Sequence, residues 1–131
     1  VRTLPGETAD DVDAHLRAAL GDLYDKVEVE VVMNDPSTIS RTDTPLWDAV
    51  ARSIERPFPT ARLTPQLVVG FTDSRVYRSM GAIAYGAGLF SPELDPMAFG
   101  RRFHGNDERI DVESLRLTTQ LWLDVVHDLQ R

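Results

Sequence analysis

The residues after position 103 have side chains that can bind a metal ion. His104 precedes Gly105, and the carboxylates of Asp107 and Glu108 follow closely. An imidazole that binds a metal usually donates its second ring proton to a carboxylate or a carbonyl, so either acidic residue is a candidate partner. Gly105 would let the backbone come close to an ion. The alternative is an ordinary turn before a helix, in which the histidine has only a structural role.

A second polar cluster, GFTDSR at residues 70–75, lies between a predicted strand and a predicted helix. Open α/β sheets bind ligands at the carboxyl ends of their strands. Thr72 offers a hydroxyl group, and Arg75 offers a planar guanidinium that matches a carboxylate. The alternative is a capped turn whose arginine forms a surface ion pair. The chain contains no nucleophile-elbow motif, no P-loop and no complete dinucleotide fingerprint.

The remaining residue types limit what a site in this chain could be. His15 and His127 are predicted to be structural, because neither has a partner at ligand spacing. Cysteine is absent, which excludes disulfides, thiolate ligands and cysteine nucleophiles. A catalytic zinc takes three protein ligands and a water. If His104 binds zinc, most of the other ligands must therefore come from outside this chain, and none of its own residues is predicted to be catalytic.

Local signals predict four helices that would position these residues. Thr8 and Asp111 are predicted N-caps, and Thr44 followed by Pro45 is a typical helix start. A short helix over 74–80 is predicted to end at Gly81. The buried face of the last helix is predicted to consist of Val112, Leu115, Thr119, Trp122, Val125, Val126 and Leu129, which recur at helical spacing.

Strands are predicted at four places, namely 1–4, 24–33, 67–69 and 82–85. Residues 24–33 alternate apolar and acidic side chains, which is typical of a strand with one solvated face. Residues 82–85 are apolar throughout, as in a central strand. The segment 86–110 shows no sustained period, and a loop of this length is usually functional.

Composition indicates a soluble chain with one domain or parts of two. The 131 residues carry a net charge of −7 and are 42% hydrophobic. Such a surface repels phosphate backbones, so nucleic acid is not an expected partner. We see no apolar run long enough to span a membrane, and a cytoplasmic location is expected. The chain begins at Val1 without an initiator methionine, which suggests a piece of a longer polypeptide.

Several ordered motifs resemble the C-terminal portion of the co-catalytic zinc aminoacylase/carboxypeptidase family, which includes glutamate carboxypeptidase, acetylornithine deacetylase, succinyl-diaminopimelate desuccinylase and carnosine dipeptidases. The motifs are VRTLPG at 1–6 before an amphipathic helix, TDSR at 72–75, AYG at 84–86, and HGNDERI at 104–110. Their order and spacing carry the resemblance, since any single motif would be weak.

The resemblance implies a fold and a domain division. The implied class is α/β, with a helix-flanked mixed sheet in the catalytic domain and half of an α+β lid domain before it. Residues 1–38 resemble the second half of the lid, which often forms the dimer contact. Residues 39–131 resemble the C-terminal segment of the catalytic domain. A homo-oligomer is therefore expected.

The resemblance also implies roles for individual residues. His104 matches the last ligand of a two-zinc centre, and Arg2 matches a lid arginine that binds the substrate carboxylate. Thr72 and Arg75 match a substrate-side turn, although Phe71 replaces the usual second glycine. The implied reaction is hydrolysis of an amide bond in an N-acyl amino acid or short peptide, with zinc and a carboxylate activating water. The other ligands and the general base lie before the lid in this family, so the chain alone is expected to be inactive.

A non-catalytic α/β module for binding or dimerisation is the competing interpretation. A His-x-Asp motif and a Glu-Glu pair in the upstream coding sequence would favour the enzyme. A nucleotide-binding module is disfavoured, because the glycine fingerprints are incomplete.

Overall fold

The computed structural model describes residues 1–131, apart from the side chain of Pro96. Helices dominate this described chain. The α-helices are α1 (Ala9–Leu20), α2 (Pro45–Glu55), α3 (Ser74–Ser79), α4 (Pro96–Phe99) and α5 (Val112–Leu129), and 3₁₀-helices cover Gly21–Lys26 and Gly100–Arg102.

The predicted mixed sheet is wrong. Helix accounts for 45% of the chain, and no strand forms in residues 1–131. The segments 1–4, 67–69 and 82–85 lack ladder pairing, and 24–33 begins inside the 3₁₀-helix Gly21–Lys26. A strand exists only where a neighbour completes its hydrogen-bond ladder. Alternation of apolar residues specifies a face but supplies no neighbour, which is why these segments stay outside any sheet.

The predicted helix starts are confirmed. Thr8 caps α1 in a capping box with Asp11, and the Thr44 side chain accepts a hydrogen bond from the backbone N–H of Trp47. Asp111 caps α5 by accepting from the backbone N–H of Ser114. These caps are local contacts, so a short stretch of sequence is enough to specify them.

The chain divides into two compact units. Unit 1 consists of Val1–Ser40 and Leu67–Ala84, and unit 2 consists of Arg41–Gln66 and Tyr85–Arg131. The predicted division into 1–38 and 39–131 according to the family's lid and catalytic domains stays a prediction.

Unit 2 is built around the packing of α2 against α5. Its core cluster contains Ala49, Val50, Leu121 and Val125, each at most 2% exposed. Two ion pairs reach α5 from this region, from Arg52 of α2 to Asp128 and from Arg56, directly after α2, to Asp124. Burial of this apolar surface is the main stabilising contribution in unit 2.

The face that α5 buries differs from the predicted one. Of the seven predicted residues only Val125 is buried, and its buried companions are Ser114, Leu117 and Leu121. Val112 is 83% exposed and Leu115 is 53% exposed. The helix has two apolar stripes, and the one that packs is rotated from the predicted one by roughly a third of a turn.

Unit 1 is held mainly by polar contacts. Arg78 donates hydrogen bonds to the hydroxyl of Ser40 at 3.1 Å and to the carbonyl of Ala84 at 2.6 Å. Ser40 also accepts from the backbone N–H of Ala84 at 3.1 Å. Within the described side chains of this unit, no apolar residue is fully buried.

None of the helices in the described part of the chain is both long enough and apolar enough to cross a membrane.

Candidate functional site

Two of the predicted substrate-binding residues come together in unit 1. The guanidinium carbon of Arg2 lies 5.7 Å from the centroid of the Phe71 ring, and that of Arg75 lies 5.2 Å from it. Arg75 also forms an ion pair with Asp35. Cation–π contacts of this kind contribute about 0.5–1 kcal/mol at exposed sites. Phe71, which is 62% exposed, therefore gathers two positive charges at the surface.

The two guanidiniums differ in how far their charge is already balanced. The ion pair with Asp35 partly neutralises Arg75, which matches the surface ion pair of the alternative interpretation. Arg2 makes no ion pair with any side chain that the structure describes. Its planar fork is thus available for a bidentate contact with a carboxylate.

Thr72 lies beside this ring, immediately before α3. Its carbonyl accepts a hydrogen bond from the backbone N–H of Arg75 at 3.3 Å, which tightens the turn. The Thr72 residue is exposed, so its hydroxyl can reach a ligand. The short helix that follows is fixed by Arg78, which binds both Ser40 and Ala84.

Arg2 also borders a surface cavity of about 210 Å³ in unit 1. Its lining combines the apolar residues Val1, Leu4 and Val12 with His15 and with the acidic residues Glu7 and Asp11. Such a cavity is smaller than most sites for drug-sized ligands, which measure about 300–1,000 Å³.

His104 adopts an unusual backbone conformation in unit 2. Its φ of 57° places it in the left-handed region, and it is the single non-glycine residue with positive φ along residues 1–131. Histidine is one of the residues enriched there, but the conformation still costs about 1–2 kcal/mol. Backbone strain of this kind concentrates at functional sites.

Glu108 stabilises this strained turn through the backbone. Its carboxylate accepts a hydrogen bond from the backbone N–H of His104. The carbonyl of Asp107 accepts from the Arg109 guanidinium at 2.8 Å. The imidazole of His104 is exposed, so a ligand can reach it. The predicted contact of Asp107 or Glu108 with the imidazole itself stays a prediction.

The loop before His104 is attached firmly to α5. Arg102 forms an ion pair with Asp111 at 3.0 Å, which is the residue that caps the helix. Further back, the hydroxyl of Thr118 donates to the carbonyl of Leu89 at 2.8 Å and accepts from its N–H at 3.0 Å. His104 therefore follows a segment that is fixed at both ends.

Residues 1–131 can supply one ligand to a zinc ion. A structural or catalytic zinc takes three or four protein ligands. No group of three or more His, Asp or Glu side chains gathers at one point in the described residues. The exposed imidazole of His104 fits the chemistry of a single ligand, whereas a complete zinc site would need ligands from elsewhere.

Two residues of the candidate site were missed by the sequence analysis. The sequence analysis noted Phe71 only because it replaces a glycine of the family pattern, yet the guanidiniums of Arg2 and Arg75 both contact its ring. Asp35 had no motif of its own and pairs with Arg75 across forty positions of sequence. The available sequence signal was a bulky phenylalanine directly after Gly70 in a predicted turn.

Comparison with known proteins links the chain to peptidases and hydrolases. It is 21% identical over 132 residues to Probable carboxypeptidase S-like 2 of Dictyostelium discoideum, covering 99% of this chain and 24% of that protein. It is 32% identical over 92 residues to N-fatty-acyl-amino acid synthase/hydrolase PM20D1.1 of Danio rerio, covering 68% of this chain and 17% of that protein. No family model matches the chain. No solved structure matches it either.

These similarities support the predicted link to a peptidase family at that coarse level. The chain spans about a quarter or less of the length of either relative. The subfamily stays a prediction.

Proposed function

We propose that the chain is part of a zinc-dependent hydrolase that cleaves the amide bond of N-acyl amino acids or short peptides. The observation that carries the proposal is the pair of guanidiniums, Arg2 and Arg75, over the single ring of Phe71. Two positive charges at one exposed point favour a carboxylate ligand. The sequence similarity to a carboxypeptidase S-like protein and to a fatty-acyl-amino acid hydrolase supports the same reaction class.

The residues of unit 1 would bind and orient the substrate. Arg2 would hold the substrate carboxylate through a bidentate hydrogen bond, because its fork has no competing ion pair with the described side chains. Arg75 would add charge, moderated by Asp35. The Thr72 hydroxyl would donate a further hydrogen bond. Fixing a substrate in this way lowers the entropic part of the barrier.

The role proposed for unit 2 is to present one metal ligand. The left-handed turn at His104, closed by Glu108, holds the imidazole at the surface. When bound, zinc would polarise the amide carbonyl and make its water more acidic. We propose that the remaining ligands and the general base come from outside residues 1–131, and that the chain alone has no hydrolase activity.

The test uses the product of the complete reading frame that contains residues 1–131. We expect His104→Ala to lose bound zinc and to lower kcat by more than about 100-fold. The matched control is His127→Ala, which removes another exposed imidazole and should change neither. Normal zinc content and normal turnover in the His104→Ala variant would refute the proposal.

A second measurement addresses substrate binding. Arg2→Ala is expected to raise KM for an N-acyl amino acid by about tenfold, with a smaller change in kcat, because it removes a charge-assisted hydrogen bond worth about 1.5–3 kcal/mol. Arg62→Ala removes an exposed arginine of unit 2 and is the control. An unchanged KM in Arg2→Ala would remove Arg2 from the site. Zinc-dependent turnover by the 131-residue chain alone would contradict the expected inactivity.

A further inference from the structure

Asp35 brings a negative charge into the candidate site of unit 1. Its carboxylate forms an ion pair with a terminal nitrogen of the Arg75 guanidinium, and the side chains of Arg75 and Asp35 are 38% and 34% exposed. Water and salt screen a partly covered pair of this kind less than a pair that is fully exposed. The guanidinium of Arg75 is therefore paired with a carboxylate of the chain itself before any ligand binds.

Contacts between the two segments hold this ion pair in place. Arg78 of α3 donates hydrogen bonds to the carbonyl of Thr38 at 3.4 Å and to the hydroxyl of Ser40 at 3.1 Å. The helix that carries Arg75 is thus attached to the segment that follows Asp35. A pair that is positioned in advance loses little further entropy when it forms, so a ligand must compete with it at full strength.

The contacts around the Phe71 ring leave one positive charge in excess. The guanidinium carbons of Arg2 and Arg75 lie 5.7 Å and 5.2 Å from the ring centroid. A ligand group at the ring is within the screening length of both charges, which is about 8–10 Å in physiological salt. Asp35 balances Arg75, whereas Arg2 has no ion pair with a side chain that the structure describes. This balance matches a ligand with one carboxylate and not one with two.

We propose that Asp35 is a specificity-determining residue, which restricts the substrate to amino acids with an uncharged side chain. The inference rests on the proposed function, in which Arg2 binds the carboxylate of the amino acid. A second carboxylate, on an aspartyl or glutamyl side chain, must either displace Asp35 from Arg75 or lie beside it without a cation. Both arrangements weaken binding, because like charges repel and a charge-assisted hydrogen bond is lost.

The test compares two ligands that have nearly the same size and differ by one charge. N-Methanesulfonylglutamate and N-methanesulfonylglutamine carry a sulfonyl group in place of the acyl carbonyl, so neither is hydrolysed as an amide. Isothermal titration calorimetry with the product of the complete reading frame measures both dissociation constants at pH 7. We expect that product to bind the glutamine derivative about fivefold more tightly, or better, because the glutamate derivative lacks a second free cation.

Asp35→Asn should remove this preference. The glutamate derivative should bind about tenfold more tightly to the variant, because the freed Arg75 can form a charge-assisted hydrogen bond with it. The glutamine derivative should bind as before. Asp35→Glu keeps the charge and should keep the preference. Asp43→Asn, which removes the carboxylate of another exposed arginine pair, is the matched control.

The ratio of the two dissociation constants separates specificity from stability. A structural role for Asp35 would weaken both ligands equally and leave the ratio unchanged. In Asp35→Asn combined with Arg75→Gln, the gain for the glutamate derivative should disappear, because no free guanidinium remains. If Asp35→Asn does not fold, Arg75→Gln alone decides. It leaves Asp35 without its cation and should strengthen the preference for the glutamine derivative severalfold.

The outcomes distinguish this inference from the proposed function. Equal binding of both ligands by the unchanged protein, or a ratio that a folded Asp35→Asn variant does not alter, overturns the inference alone, provided that Arg2→Ala weakens binding. Binding that Arg2→Ala leaves intact refutes the proposed role of Arg2 and the inference that rests on it. Absence of binding by either ligand refutes both as well.

Discussion

Both units of this chain contain segments with a regular apolar pattern, but only unit 2 buries such a pattern. In unit 2, α2 and α5 cover each other, and Val50, Leu121 and Val125 are at most 2% exposed. In unit 1, α1 is amphipathic, but none of its described side chains is fully buried. Val31 and Val69, which were expected in strands, are 70% and 80% exposed.

This difference shows that an apolar pattern is stabilising only where a partner surface exists. Helices α2 and α5 are distant in sequence and meet through complementary faces, with two ion pairs beside them. Unit 1 instead depends on hydrogen bonds such as those of Arg78. The net contribution of a hydrogen bond is modest, so unit 1 should be the less stable of the two.

The largest effect is expected from a cavity in unit 2. Leu121→Ala should lower the free energy of unfolding by about 2–5 kcal/mol, because it removes a fully buried side chain. Val31→Ala in unit 1 should change it by no more than about 0.5 kcal/mol. Urea denaturation followed by far-UV circular dichroism measures both. Equal losses would mean that the two units do not differ in packing as described.

A smaller effect is expected when unit 1 loses its main polar contact. Arg78→Met removes hydrogen bonds to Thr38, Ser40 and Ala84, and bonds to a charged group contribute about 1.5–3 kcal/mol. Hydrogen exchange of the Ala84 amide should therefore become faster, while the amides of α5 keep their protection. Arg62→Met is the control for loss of an exposed arginine. Unchanged exchange at Ala84 would contradict the polar account of unit 1.

Two buried serines should respond to alanine with opposite signs. Ser53 in unit 2 is 1% exposed, and its hydroxyl lacks a hydrogen-bond partner in the described structure. Ser53→Ala should raise the free energy of unfolding by about 1 kcal/mol, because an unsatisfied buried group is lost. Ser40 in unit 1 accepts from Arg78 and from the Ala84 backbone, so Ser40→Ala should lower it. Thermal unfolding of both variants tests the sign, and the same sign in both would disagree with this account.

The smallest effect is expected from acid. Hydrogen bonds from the Thr8 side chain and backbone hold the pKa of Asp11 below 3.8, its ordinary value. The backbone N–H and then the side chain of Ser114 do the same for Asp111. Because the folded pKa is lowered, each ionised carboxylate stabilises its helix start fully above pH 3.8. This contribution is lost as the pH falls through the folded pKa.

Helices α1 and α5 are therefore expected to unwind at different pH values. Below pH 3.8 we expect α1 to unwind first, since it has no buried face. Helix α5 should persist through its packing on α2. Residue-resolved NMR during an acid titration measures this order. Loss of α5 at the same pH as α1 would show that its cap matters more than its core.

The candidate site was predictable only in part. The turn at 70–75 was visible because it involves residues close in sequence. The metal-binding role of His104 stays a prediction, and its left-handed backbone was not predicted. The ring of Phe71 and the ion pair with Asp35 were not visible, because Arg2, Asp35 and Arg75 are far apart in the chain. The resemblance to zinc peptidases indicated which residues to consider, but not which ring they share.

The helix starts were determined by the sequence itself. Thr8, Thr44 and Asp111 each satisfy a backbone N–H three residues further on, and such contacts need nothing from the rest of the molecule. The glycine after α3 likewise has a φ of 85°, a conformation that glycine adopts at little cost.

Only the tertiary structure decided which apolar surfaces are covered. Helix α5 has two apolar stripes, and contact with α2 selected the one that contains Leu117 and Leu121. The alternating valines at 27–31 were compatible with a strand, but pairing depends on a neighbour that residues 1–131 do not provide. Capping energy is local, whereas burial and strand pairing belong to two surfaces at once, so one segment of sequence cannot specify them.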